Sequence, residues 1–186
     1  MRKGKPLIYN ICMAAAVGAV AVLAALLPAS CDGMDCPLDN VVVMQCGLYT
    51  SETGEALSLA DTLTIRPAGR DTVLVNRAIG TGTLLLPLRS RTGQDTLLFQ
   101  LSNAAGQAAE DTIFLTHSSS VHFEAVDCPA AVFHNIEGVR WTSHPLAELP
   151  LTIDSVAVVR TTVDYDDIEN LKIFLRSTAH ESLPAR

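Results

Sequence analysis

From Val41 onward apolar side chains recur at every second residue, and no stretch holds them at the three-to-four spacing of an amphipathic helix. Such alternation suits strands with one face on a core and the other in water. Val41–Tyr49, Asp61–Arg66, Asp71–Asn76, Thr83–Leu88 and Asp95–Leu101 are short β-type runs. Asp111–His117, Val121–Val126, Val132–Trp141, Ile153–Arg160 and Leu171–Arg176 continue the series. Turn residues fall between them: Glu52-Thr53-Gly54, Pro67-Ala68-Gly69, Gly80-Thr81-Gly82, Thr92-Gly93-Gln94, and Asn103 to Gly106. Turn chemistry about every eight to twelve residues predicts an all-β fold, an antiparallel β-sandwich of immunoglobulin-like or similar type. Tyr165–Asn170 has room for one helical turn, and residues 177–186 have too little to bury and read as a flexible tail.

A local repeat supports the strand reading. Asp61-Thr62-Leu63, Asp71-Thr72-Val73, Asp95-Thr96-Leu97, Asp111-Thr112-Ile113 and Asp154-Ser155-Val156 share one pattern, and four of the five open a run. Aspartate ends a turn by accepting from nearby backbone N–H groups, and the β-branched residues that follow favour extended backbone. These aspartates therefore read as strand starters.

The first 31 residues carry a different instruction. Arg2, Lys3 and Lys5 precede an uncharged stretch, Ile8–Leu27, which ends at Pro28 and the small residues Ala29 and Ser30 just before Cys31. This pattern predicts a lipoprotein signal peptide over 1–30, removed ahead of a lipidated Cys31. An uncleaved anchor is the alternative, since about 20 apolar residues span a bilayer. Cleavage without lipidation would leave Cys31 as a thiol. The lipidated N-terminus and a short linker would occupy 31–40, and the sandwich 41–176.

Charge narrows the partners. The chain has a formal net charge of −7, and loss of Arg2, Lys3 and Lys5 makes it −7 − 3 = −10. A surface this acidic repels phosphate backbones, so nucleic acid is not an expected partner. Of the remaining cysteines, Cys36 and Cys128 sit in identical Asp-Cys-Pro triplets, and in an exported protein the simplest reading is a Cys36–Cys128 disulfide. Cys46 shares the apolar parity of Val42, Met44 and Leu48 and is expected as a buried free thiol. A three-cysteine metal site is the competing reading, although no pair has the short spacing usual for zinc.

With Asp35-Cys36-Pro37, Asp61-Thr62-Leu63, His122-Phe123, Asp127-Cys128, Ile153-Asp154-Ser155-Val156 and Asn170-Leu171-Lys172-Ile173-Phe174, the chain resembles uncharacterised lipoproteins of Bacteroidetes-type bacteria, a domain of unknown function. The resemblance spans nearly all of the chain after the signal. It implies an envelope lipoprotein, at the outer membrane and facing the periplasm or the cell surface, and it implies no activity. Cys46 and the turn around Ala104–Ala109 fall outside the pattern.

Candidate chemistry is sparse. Gly-x-Ser-x-Gly, His-Glu-x-x-His and Cys-x-x-Cys are all missing, and Gly80-Thr81-Gly82 lacks the third glycine of a dinucleotide loop because Leu85 stands there. Glu52 and Glu55 flank a tight turn that looks exposed. His117 and His122 bracket Ser118–Ser120, with His134 soon after, so a hairpin there could gather imidazoles for zinc or copper. Local hydrogen bonding is the plainer reading of these histidines. Asp164, Asp166, Asp167 and Glu169 are dense enough for calcium, which takes six to eight oxygens, or they form a solvated acidic turn. Trp141 beside Arg140 suits an interface anchor or sugar platform, against a tryptophan plugging the sandwich core. No enzyme is expected. The sequence points to a membrane-held binding or assembly component that meets an envelope protein or glycan, with a calcium- or glycan-binding module as the alternative and a hydrolase behind both.

Overall fold

Burial alternates along the strands as the period-two pattern requires. In β5, Gln94–Ser102, the residues Asp95, Leu97, Phe99 and Leu101 turn inward and their neighbours outward. The computed structural model describes residues 41–126, 128–145 and 151–177, all within one compact unit, Cys36–Arg186. Cys31, Cys36, the 1–30 signal, the 31–40 linker and residues 178–186 lie outside the described residues. Among the described residues no helix is long and apolar enough to cross a membrane.

The fold is all-β, in two sheets. The strands are β1 (Met44–Thr50), β2 (Thr62–Pro67), β3 (Val75–Ala78), β4 (Thr83–Leu86), β5, β6 (Ala108–His122), β7 (Ala131–Thr142), β8 (Leu151–Val158), β9 (Thr162–Val163) and β10 (Glu169–Ser177). One sheet runs β4-β1-β10-β8 and the other β3-β2-β5-β6-β7-β9. Met44, Cys46 and Leu48 from β1 and Ile173 and Leu175 from β10 meet Leu63, Ile65, Leu97 and Phe99 from the second sheet in one core. A recess of only about 10 Å³ remains between the layers, so the interior is close-packed. Turns at Gly54 and Gly106 take left-handed backbone (φ 71° and 80°), which glycine adopts at little cost.

Four expectations are corrected. The sheets are not wholly antiparallel: β1 and β10 pair in parallel from Gln45↔Glu169 to Thr50↔Leu175. Gly47 leaves room beside that pairing for the Glu169 and Tyr49 side chains, because a Cβ there would lie 2.1 Å from Glu169 Oε2 and 2.7 Å from the Tyr49 ring. Ser118–Ser120 form no turn; β6 runs straight through them, paired with Asn135, His134 and Phe133. All three serines are exposed, β7 satisfies their backbone, and the register shifts between Thr116 and His117. The run at Asp71–Asn76 pairs later than expected, at Val75–Ala78, where Arg77 takes a left-handed φ of 49°. Tyr165–Asn170 carries bends and the start of β10, with no helical turn.

Candidate functional site

The repeated aspartates divide by environment. Asp154 faces out towards Arg176, at 3.4 Å, and Asp71 is exposed. Asp95 and Asp111 are both buried, 3% and 0% exposed: Asp95 stands at the start of β5 and accepts from the Arg89 amide of the turn before it, as a strand starter should, whereas Asp111 lies inside β6 and the strand-starter reading is wrong for it. Both are acceptor hubs.

Asp111 joins the two sheets. Its Oδ1 accepts from the His144 amide and, at 2.9 Å, from His144 Nδ1. Oδ2 accepts from the Thr152 hydroxyl at 3.1 Å and the Ile153 amide at 2.7 Å. The next residues along reinforce the seam: the Trp141 indole donates to the Asp154 carbonyl at 3.0 Å, and the Ser143 hydroxyl donates to the Ile153 carbonyl. Side chains thus cap backbone groups of β8 that would otherwise stand unpaired.

Asp95 organises a second cluster. Oδ1 accepts from Arg89 Nε, and Oδ2 accepts from the Arg89 amide at 3.0 Å and lies 2.9 Å from His117 Nε2. Burial raises the Asp95 carboxyl, but the Arg89 amide, His117 and the Arg89 guanidinium outweigh it and hold it below the ordinary carboxylate range. With its proton on Nε2, His117 keeps a buried Nδ1 that has no partner among the described residues. His134 stands edge-on to His117, with ring centroids 5.1 Å apart, and accepts or donates at Nδ1 to Ser119 Oγ, 2.9 Å away. Burial and the neighbouring His117 push the His134 imidazole down. Ser119, His134, His117 and Asp95 do not form a triad, because the acid orients His117 whereas the hydroxyl meets His134.

Arg89 also reaches outward. It lines a recess of about 150 Å³ with Arg70, Thr72, its own partner Asp95, and the apolar Pro67, Leu74, Pro87, Leu88 and Leu97. The recess opens into a shallower mouth of about 410 Å³ bounded by Arg70, Arg89, Arg91, Ser90 and Thr92. Among the described residues Arg70 and Arg91 make no ion pair, unlike Arg66, Arg89, Arg160 and Arg176. This cleft escaped the sequence reading, because its cations sit on two turns far apart in the chain. The only signal was the run Arg89-Ser90-Arg91, cationic within an acidic chain.

The residues singled out from sequence do not converge. Trp141 is 37% exposed and stands at the surface, not in the core, beside a broad depression formed with Phe114, Val139, Arg140 and Thr142. Arg140 lies over the Phe114 ring, 5.2 Å from its centroid. In the acidic stretch Arg160 bridges Asp164 at 2.8 Å and Asp166 at 2.9 Å, and Glu169 turns away to accept from Tyr49 at 2.7 Å. Among the described residues no three histidine, cysteine or acidic side chains could hold one metal ion. His122 stacks on Phe133 at 4.3 Å and stands apart from the His117–His134 pair in its contacts. Cys46 is a buried free cysteine, and burial pushes its thiol far up. Cys128 is buried as well.

A family model described as "Family of unknown function (DUF6452)" matches residues 62–175. The chain belongs to that family. The match runs from β2 into β10 and so takes in both aspartate hubs, the arginine cleft and Trp141, which agrees with the resemblance to a domain of unknown function. No curated protein and no solved structure matches the chain.

Proposed function

We propose that the protein is a lipid-anchored component of the cell envelope that binds or assembles with other envelope molecules and performs no catalysis. In this reading Cys31 carries the lipid, the mature chain faces the periplasm or the cell surface, and a Cys36–Cys128 disulfide ties the linker to the sandwich. The observation that carries the binding role is the division of labour among polar side chains. The buried carboxylates Asp95 and Asp111 are taken up by internal donors, and the accessible features are surfaces: the Trp141–Arg140–Phe114 face and the cationic cleft. Aromatic and arginine side chains of this kind anchor interfaces.

Two experiments test the reading. Intact mass spectrometry of membrane-extracted protein should give residues 31–186 plus acyl chains, gaining two hydrogens on reduction. An unprocessed mass would instead make Ile8–Leu27 a transmembrane anchor. Crosslinking in membranes should recover a defined partner through the Trp141 face, and recovery of the monomer alone under all conditions would count against the binding role. A glycan is the second reading, favoured by the exposed Trp141 ring. Calcium is the weaker form of that alternative, since Arg160 already occupies Asp164 and Asp166. Calorimetry against a glycan panel and calcium distinguishes them.

A further inference from the structure

The geometry points to the Arg70–Arg89–Arg91 cleft as a binding site for an oxyanion carried on a short apolar body, such as a phosphate or sulfate monoester. The proposal gives the binding role above a ligand class, and it stands or falls separately from the lipid anchor.

Three features set this cleft apart from a solvated arginine surface. First, its mouth is lined by three guanidinium groups and two hydroxyl-bearing residues, and by no carboxylate. Asp71 follows Arg70 in the chain yet lines neither part of the cleft, and Asp95, the carboxylate that lines the recess behind the mouth, is already taken up by Arg89 and His117. Second, the site has one fixed donor. Arg89 is held through Nε by the buried Asp95 and through Nη2 by the Gln94 carbonyl, so its guanidinium plane is set before any ligand arrives. Donors already in place lose little freedom on binding. Asp95 neutralises Arg89, and Arg70 and Arg91 supply the uncompensated positive charge. Planar guanidinium forks match the paired oxygens of phosphate, sulfate and carboxylate. Third, most of the recess behind the mouth is apolar, lined by Pro67, Leu74, Pro87, Leu88 and Leu97, with the Arg89-paired Asp95 at its side. At about 150 Å³ it is smaller than the roughly 300–1,000 Å³ of a drug-sized site, so it suits a short apolar group behind the charged head.

The test uses the purified full-length protein and phenyl phosphate, which combines both halves of the ligand class. Calorimetry should show saturable one-to-one binding. Inorganic phosphate, which leaves the recess empty, should bind about tenfold more weakly, and phenol should not bind measurably. Arg70→Gln and Arg91→Gln should each weaken phenyl phosphate about tenfold, and the double variant should abolish binding. Among the described residues neither arginine has an ion-pair partner to lose, so the melting temperature without ligand should not move. A free ester and a membrane-borne one present the same chemistry. Vesicles containing phosphatidic acid, compared with phosphatidylcholine alone, separate them: binding that needs Arg70 and Arg91 supports the site in either arm and identifies the source. Absence of saturable binding in both arms, or binding that survives Arg70→Gln/Arg91→Gln, would overturn the proposal.

Discussion

Replacing Asp111 should be the most damaging single change at the join between the sheets. The carboxylate is 0% exposed and accepts from four donors contributed by His144, Thr152 and Ile153, 33 to 42 residues further along the chain. Asp111→Ala leaves two backbone amides and a hydroxyl without partners where water cannot reach them. An orphaned buried donor costs about 1–3 kcal/mol, and breaking a buried charged cluster typically costs about 3–5 kcal/mol. The expected loss is therefore about 3–5 kcal/mol, a third or more of a typical domain's stability. Asp111→Asn separates shape from acceptance. One asparagine position still accepts from His144, and the amide nitrogen can donate to a rotated Thr152 hydroxyl. The Ile153 amide then faces a donor and stays unpaired, for a loss of about 2–3 kcal/mol. Equilibrium urea denaturation followed by Trp141 fluorescence reads this directly, because Trp141 donates to Asp154 on the same seam. A loss below about 1 kcal/mol for Asp111→Ala, or equal losses for alanine and asparagine, would refute the reasoning.

Other perturbations have equally definite outcomes. Gly47→Ala should displace Glu169, break its bond to Tyr49 and cost about 1–3 kcal/mol. The hydrogen bond that Tyr49 donates to Glu169, with burial and the charge of Glu169, raises the Tyr49 phenol, so ultraviolet titration of the variant should show it falling back towards its ordinary value. His134 is depressed, so the unfolded chain binds more protons, and stability should decline as pH falls below the ordinary 6.5 of a histidine. Asp95 is depressed too, and its contribution is present above its ordinary value of 3.8 and lost as pH falls through the lower folded value. Urea midpoints measured from pH 8 to pH 3 should show the upper step and the onset of the lower one, and His134→Phe should remove the upper one. Cys128→Ser, if the proposed pairing closes a loop of 128 − 36 = 92 residues, should cost about 4–5 kcal/mol in the chain-entropy model, and reductant should then have no further effect on the urea midpoint.

Strand positions were legible because they depend on local chemistry. The alternation from Asp95 to Leu101 and the glycines at positions 54, 69 and 106 each state their own backbone preference, and the structure follows them. Asp111 was misread, and the buried partners of Asp95 went unseen, for the opposite reason. Whether an aspartate caps a turn or sits buried depends on donors that the fold brings from elsewhere, and nothing beside Asp111 announces His144 or Ile153. Ser118–Ser120 misled because serine is at home in a turn and equally at home on the wet face of a long strand once a partner satisfies the backbone. The arginine cleft is assembled from two turns, Arg70 on one and Arg89 to Arg91 on the other, so only their meeting in space makes it a site. Trp141 could be singled out by type and neighbour, whereas its place on the surface seam had to come from the structure.

The parallel pairing of β1 with β10 ties the first strand of the sandwich to the last, across 120 residues between Tyr49 and Glu169. Such distant pairing makes folding slow. It also sets an order of events: until β10 exists, β1 has only the short β4 for a neighbour, and half the core has no wall. A chain ending before Glu169 should expose Met44, Cys46 and Leu48 as an adhesive edge. The sandwich is thus a lock that only β10 can close, and chains cut short of that strand are left open to proteolysis and aggregation.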